Sequence, residues 1–297
     1  MSLIEIEQLT KDYGGGRGIF DVSLSIEKGE TFGFVGTNGS GKTTAIRHLM
    51  GFLKPDGGKA TIQGLDCWGD SAQVKRLIGY VPGEIAFPDA PTGREFLRRQ
   101  EELLGKVDER YLDSILTTLQ LDATANLKRM SKGMKQKTAV AAAFMRDPEI
   151  LILDEPTTGL DPLMRASFID LLNAEKKKGK TVFMSSHMFN ELEDTCDRVA
   201  LIKDGRIVSV VSTREIRHNQ NKTYKMEFLS RGDYLRFLGE NLEIAEKRDA
   251  QNQVFVVVHD REINAFTAIV KKYRIKFFRE IKYTLEAYFH GIYQEVA

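Results

Sequence analysis

Gly36-Thr37-Asn38-Gly39-Ser40-Gly41-Lys42-Thr43-Thr44 decides the reading of this 297-residue chain. It is a Gly, four free positions, then Gly-Lys-Thr. The apolar run Glu30-Thr31-Phe32-Gly33-Phe34-Val35 precedes it and reads as a short buried strand. Ala45-Ile46-Arg47-His48-Leu49-Met50 follows and opens a helix. Strand, Gly-rich loop and helix form the context of a phosphate-binding loop. Glycines let backbone N–H groups crowd around phosphate oxygens where a Cβ would clash, and the helix N-terminus adds a partial positive charge. Lys42 is expected to reach the β and γ phosphates, and the Thr43 hydroxyl to ligate Mg²⁺.

A second stretch supports this one. Ile150-Leu151-Ile152-Leu153-Asp154-Glu155 is an unbroken apolar run that ends in two carboxylates. The run predicts a central parallel strand buried on both faces. Carboxylates at its end are costly unless they face a cation or ligand, and open α/β sheets bind ligands at the C-terminal ends of their strands. Asp154 therefore suits the Mg²⁺ shell, and Glu155 suits a base that orients and deprotonates water. Thr181-Val182-Phe183-Met184-Ser185-Ser186 predicts a further buried strand, with His187 at its end in reach of phosphate.

Around these strands the chain reads as follows. Leu3–Thr10 alternates as a half-buried strand, as does Ile19–Ile26, and Lys28-Gly29 is expected to close a hairpin into the strand before the phosphate loop. Tyr13 precedes that loop and offers a ring to a purine. Pro82 to Met130 predicts a helical insert, with a helical region from Thr92 to about Leu121 in which Phe96, Leu97, Leu103, Leu104, Leu112, Ile115, Leu116 and Leu119 recur at helical spacing. Ser131 and Gly133 fall just ahead of an Ala-rich helix, Thr138–Met145, where they could present backbone donors to a phosphate. Thr157–Pro162 is a loop with an acidic residue, Asp161, close behind the carboxylates, and Arg198–Lys203 and Arg206–Val211 form a hairpin about Asp204-Gly205.

Composition narrows the function classes. With 43 Lys plus Arg against 42 Asp plus Glu, the net charge is +1, so no global basic field marks nucleic acid or anionic lipid as a partner. Cys67 and Cys196 stand far apart, match no metal spacing and suit a reducing compartment. The N-terminus lacks the apolar centre of a signal peptide, and no stretch reaches the ~20 apolar residues that cross a bilayer.

Taken together, these motifs resemble the ATP-binding cassette ATPases over residues 3–217. Gly36–Thr44 looks like the family's phosphate loop, and Ser131-Lys132-Gly133-Met134-Lys135-Gln136 like its signature loop. Ile150–Glu155 is similar to its acidic strand, Gly159-Leu160-Asp161 to its dimer-contact loop, Ser186-His187 to its switch histidine, and Tyr13 to its adenine-stacking aromatic. The resemblance implies an α/β phosphate-loop NTPase cassette with a mixed core sheet, an antiparallel β subdomain and a helical subdomain about residues 82–145. It implies ATP and Mg²⁺ as ligands, and catalytic roles for Lys42, Glu155 and His187. It also implies a head-to-tail sandwich in which Ser131 and Gly133 serve the nucleotide of a facing cassette, either a second copy or a different chain. Two departures stand out. Gly83 occupies the place where the family usually has Gln, with Glu84 beside it, and the signature carries Lys132 and Met134 where Gly and Gln are commonest.

From about Lys222 the order strand–helix–strand–strand–helix–strand is ferredoxin-like, which sets a first domain of 1–217 against a regulatory or dimer-contact domain of 218–297. A terminal helix follows, whose apolar stripe (Leu285, Tyr288, Phe289, Ile292) suits packing on its own sheet or docking on a partner. A single cassette with such a tail looks like the bacterial export systems for drugs, antibiotics or lipids. Such a subunit works at the cytoplasmic face of the membrane, bound to an integral-membrane permease. The competing expectations are a non-transport cassette and a regulatory cassette with weak turnover.

Overall fold

The computed structural model describes residues 2–295 and divides into two compact units, Met1–Ser212 and Thr213–Ala297. The first unit runs β1 (Ser2–Asp12), β2 (Gly18–Glu27), β3 (Thr31–Val35), α1 (Lys42–Leu49), β4 (Gly57–Ile62), β5 (Leu65–Asp66), α2 (Ser71–Leu77) and β6 (Ile78–Val81). It continues with α3 (Gly93–Leu104), α4 (Glu109–Thr118), α5 (Lys132–Phe144), β7 (Ile150–Asp154), α6 (Pro162–Lys177), β8 (Thr181–Ser186), α7 (Phe189–Thr195), β9 (Arg198–Lys203) and β10 (Arg206–Ser212). The second unit carries α8 (Thr213–Arg217), β11 (Asn221–Phe228), α9 (Arg231–Phe237), β12 (Glu243–Arg248), β13 (Gln253–His259), α10 (Ile263–Val270), β14 (Ile275–Ile281) and α11 (Leu285–Glu295).

Two sheets build the first unit. One is antiparallel, in the order β2-β1-β4-β5, and the other is mixed, in the order β10-β9-β3-β8-β7-β6. Strands β9, β3, β8, β7 and β6 are parallel, and β10 adds antiparallel at the edge through the Asp204-Gly205 turn. Every residue of β3, β7 and β8 is buried, as strands covered on both faces require. Parallel alignment brings the ends of β3, β6, β7 and β8 to one edge of the sheet. Val35 pairs with Ser186, Asp154 with Ser185, and Val81 with Leu153. That edge carries the site.

Three sequence expectations are corrected here. Lys28-Gly29 closes no hairpin into β3. Strand β2 pairs with β1, Ile26 opposite Ile4, and the turn hands the chain from one sheet to the other. The continuous apolar run of β3 explains this, because a strand buried on both faces belongs inside a sheet and not at an antiparallel edge. The helical region after Thr92 is two helices. Gly105, at φ 103°, ends α3, and the Asp108 carboxylate caps α4 by accepting from Arg110 N at 2.9 Å. Leu103 and Leu104 consequently lie exposed. Finally, α5 starts at Lys132, so Gly133 lies within its first turn and Ser131 is its N-cap, accepting from Met134 N at 3.2 Å.

The second unit is a four-stranded antiparallel sheet, in the order β12-β13-β11-β14, with β11-α9-β12-β13-α10-β14 as its chain order. Met226, Phe228, Val254, Val256 and Val258 meet Tyr234 and Phe237 of α9 and Phe266 of α10 in one core. In α11, Leu285 and Phe289 are buried, and the helix meets α8. Cys67 and Cys196 are free and buried, and burial pushes both thiols up to about 12, so neither is an active nucleophile. Among the described residues no helix is long and apolar enough to cross a membrane, and no group of three or more His, Cys, Asp or Glu is placed to hold a metal ion.

Candidate functional site

The loop between β3 and α1 wraps one end of a cavity of about 780 Å³. Tyr13, Arg17, Asn38, Gly39, Gly41, Lys42, Thr43 and Thr44 line it, together with Tyr80, Pro82, Gly83, Glu84, Asp154, Glu155, Thr158 and His187. Gly36, Thr37 and Ser40 complete the loop behind this lining. Gly41 is the N-cap of α1 at φ 110°, and its carbonyl accepts from Ala45 N at 3.0 Å. Only glycine takes that conformation without strain, and a Cβ there would stand 2.6 Å from Ile19. The first N–H groups of α1 thus open toward the cavity.

Lys42 is buried. Its ammonium donates to Gly36 O at 2.8 Å and Thr37 O at 3.2 Å, and lies 3.5 Å from Glu155 Oε1. The loop's cation and the carboxylate at the end of β7 therefore share one edge of the cavity.

Two carboxylates follow β7, and their surroundings separate their chemistry. Asp154 is fully buried. Its Oδ1 accepts from Ser185 Oγ at 2.6 Å, whereas its Oδ2 is buried without a hydrogen-bond partner. An orphaned carboxylate oxygen beside a cavity is the kind of group a cation satisfies. Glu155 sits at φ 50°, a left-handed backbone that costs a non-glycine residue of order 1 kcal/mol or more. The turn is held by Glu155 N, which donates to Ser185 O and Ser185 Oγ, and by Thr158 N, which donates to Glu155 O. This turn aims the Glu155 side chain into the cavity, where its Oε2 hydrogen-bonds His187 Nδ1. A carboxylate, an imidazole and an ammonium so placed can bind a polyphosphate and take a proton from water.

Gly83 explains how Asp154 keeps its free oxygen. A Cβ at residue 83 would stand 2.9 Å from Asp154 Oδ2. The backbone of the β6 loop therefore walls the carboxylate directly.

Of the residues singled out in the sequence, Tyr13, Lys42, Thr43, Asp154, Glu155 and His187 come together in this cavity. Ser131, Gly133 and Asp161 do not line it. Gly133 lies against the Gly159 carbonyl, at 3.0 Å from the position its Cβ would take, so the helix start and the Gly159 loop touch. The Asp161 carboxylate caps α6, accepting from Met164 N at 2.9 Å. The sequence reading passed over Arg17, Arg47, Tyr80 and Thr158 in the lining, and Ser185 behind it. Ser185 was the most accessible of these, since it lies directly opposite Asp154 once the two strands are aligned in parallel.

The family model described as "ABC transporter" matches residues 19–158. The linearmycin resistance ATP-binding protein LnrL of Bacillus subtilis is 33% identical, over 70% of this chain and 68% of its own length. The bacitracin transport ATP-binding protein BcrA of Bacillus licheniformis is 29% identical, over 86% of this chain and 85% of its own. An uncharacterized ABC transporter ATP-binding protein of Nostoc sp. is 36% identical over 69% of this chain, which spans 62% of that relative. A solved structure described as the ATP binding subunit of an ABC transporter superposes with a TM-score of 0.67 at 30% identity, covering 73% of this chain and 92% of that one.

Proposed function

The chain belongs to the ABC transporter family as one of its ATP-hydrolysing cassettes, and from that premise we propose that it powers a membrane exporter of antibiotics, drugs or lipids. The observation that carries the catalytic part is the meeting of Lys42, Glu155 and His187 along one cavity that the phosphate loop encloses. The cargo class rests on relatives named for bacitracin transport and linearmycin resistance.

In this reading the Tyr13 ring stacks on adenine at the cavity mouth. The backbone N–H groups of residues 36–44 and the Lys42 ammonium hold the β and γ phosphates. Thr43 and the free Oδ2 of Asp154 hold Mg²⁺, which shields the phosphate charge when bound. Glu155 takes the proton of the attacking water, and His187 holds the Glu155 carboxylate in place from the other side. Ser131, Gly133 and the Gly159–Asp161 loop lie outside their own chain's cavity, which suits them to the nucleotide of a facing cassette. Binding then closes two cassettes on two nucleotides, and hydrolysis reopens them. The permease is a separate integral-membrane protein, this chain docks at its cytoplasmic face, and residues 213–297 serve as a regulatory or dimer-contact unit.

Two results follow. Gly83→Gln restores the side-chain amide that the family usually carries here, beside Asp154 Oδ2, so the affinity for magnesium–ATP rises by about ten-fold while metal-free nucleotide binding changes little. Calorimetry with and without Mg²⁺ measures the difference, and equal affinities for parent and variant would show that residue 83 does not face the cation. The tagged chain, purified from its native membranes in mild detergent, is expected to carry a multi-helix membrane protein with it. Recovery with ribosomes instead would overturn the transport assignment.

A further inference from the structure

Behind the cavity, one buried carboxylate gathers two hydroxyl donors and a neighbouring guanidinium. Glu191 lies in the first turn of α7 with its side chain 2% exposed. Thr157 Oγ1 donates to its Oε1 at 2.8 Å and its Oε2 at 2.9 Å, and Ser186 Oγ donates to Oε2 at 2.9 Å. The Arg165 guanidinium of α6 stands 3.1 Å from Oε1. Ser186 Oγ also accepts from Met188 N at 3.0 Å. The residues on both sides of His187 are thereby tied to the same knot.

Their places in the chain give this knot its meaning. Thr157 follows Glu155 by two residues and begins the loop that runs through Gly159 to Asp161. Ser186 immediately precedes His187. Glu191 itself does not line the cavity. A buried carboxylate that served only stability could take its donors from anywhere, and an apolar replacement would often serve as well. Both hydroxyls here come from the segments that carry Glu155 and His187, and the carboxylate accepts from both at once. Two hydroxyls shared by one buried carboxylate hold the segments that carry them in one arrangement.

We propose that Glu191 is a positioning residue for hydrolysis: it fixes the His187 segment and the Thr157–Asp161 loop in one register, so that the His187–Glu155 contact forms. This inference rests on the reading of Glu155 as the base and His187 as its partner. Glutamine at 191 keeps the shape but places an amide N–H₂ where an acceptor is needed, facing a hydroxyl or the Arg165 cation.

The test uses the full chain with Glu191→Gln, His187→Ala, the double variant, and Glu155→Gln as a control. Glu191→Gln is expected to lower kcat at least about ten-fold with KM for ATP within about two-fold of the parent. In the His187→Ala background the same change is expected to cost no more than about two-fold, because its effect passes through His187. Losses that multiply, or an unchanged kcat for Glu191→Gln, would overturn the proposal. Should Glu191→Gln not fold, Thr157→Val with Ser186→Ala removes both hydroxyl donors, leaves the Arg165 ion pair, and carries the same two expectations. A Glu155→Gln control that turns over like the parent would instead overturn the assignment of the base, and the two failures are separable.

Discussion

Glu155→Gln is expected to leave ATP bound and to cut its turnover at least about a hundred-fold. A positioned general base contributes about 10² to 10⁴ in rate, and glutamine has the volume of glutamate without its proton affinity. Each doubling or halving is small on this scale, since ten-fold in rate is about 1.4 kcal/mol of barrier. Binding survives because the ammonium of Lys42 keeps its contacts with Gly36 O and Thr37 O, and the phosphate loop itself is untouched. Closed cassette pairs should then accumulate with ATP, visible as a doubled mass in gel filtration with multi-angle scattering. Phosphate release measured beside equilibrium nucleotide binding decides the matter. Turnover within about three-fold of the parent would exclude Glu155 as the base.

Lys42→Ala has the opposite signature, a loss of binding itself. The Lys42 side chain is 6% exposed and sits among three acceptors: the carbonyls of Gly36 and Thr37 and the Glu155 carboxylate. Alanine removes the one cation in this group and leaves the acceptors unanswered, so phosphate charge would enter a cavity already carrying Asp154 and Glu155. A hundred-fold or greater loss of ATP affinity, about 2.7 kcal/mol, is expected. Arginine does not rescue it, because its planar fork needs more room than the pocket beneath Gly36 gives a slender ammonium. Fluorescent-nucleotide titration reads the affinity, and circular dichroism establishes that the variant is folded. Affinity within about three-fold of the parent would detach Lys42 from the phosphates.

The site was legible where chemistry and periodicity coincide. Gly36–Thr44 cannot be mistaken for an ordinary turn when a buried strand precedes it, and Asp154-Glu155 at the end of four apolar residues advertises a charge that needs an answer. His187 was legible from its place at a strand end. What escaped was whatever depends on which strands are neighbours. The Lys28-Gly29 turn looks like a hairpin in sequence because local turn chemistry does not say which sheet the next strand enters. Leu103 and Leu104 fit a helical stripe, yet the glycine that stops α3 leaves them at its exposed end. Glu191 carries no signal in sequence, since its three partners are scattered from Thr157 to Ser186 and meet only after folding. The free oxygen of Asp154 and the clearance at Gly83 likewise exist only in three dimensions.

The arrangement of β3 has a consequence for how the protein is made. Phe32 pairs with Phe183 on one side and with Arg198 on the other. When the ribosome has delivered the phosphate loop, the strand that supports it therefore has no neighbour, and it gains none until the polypeptide beyond residue 180 has emerged. The nucleotide pocket is a late product of synthesis, and an apolar β3 must be shielded from other nascent chains throughout that interval.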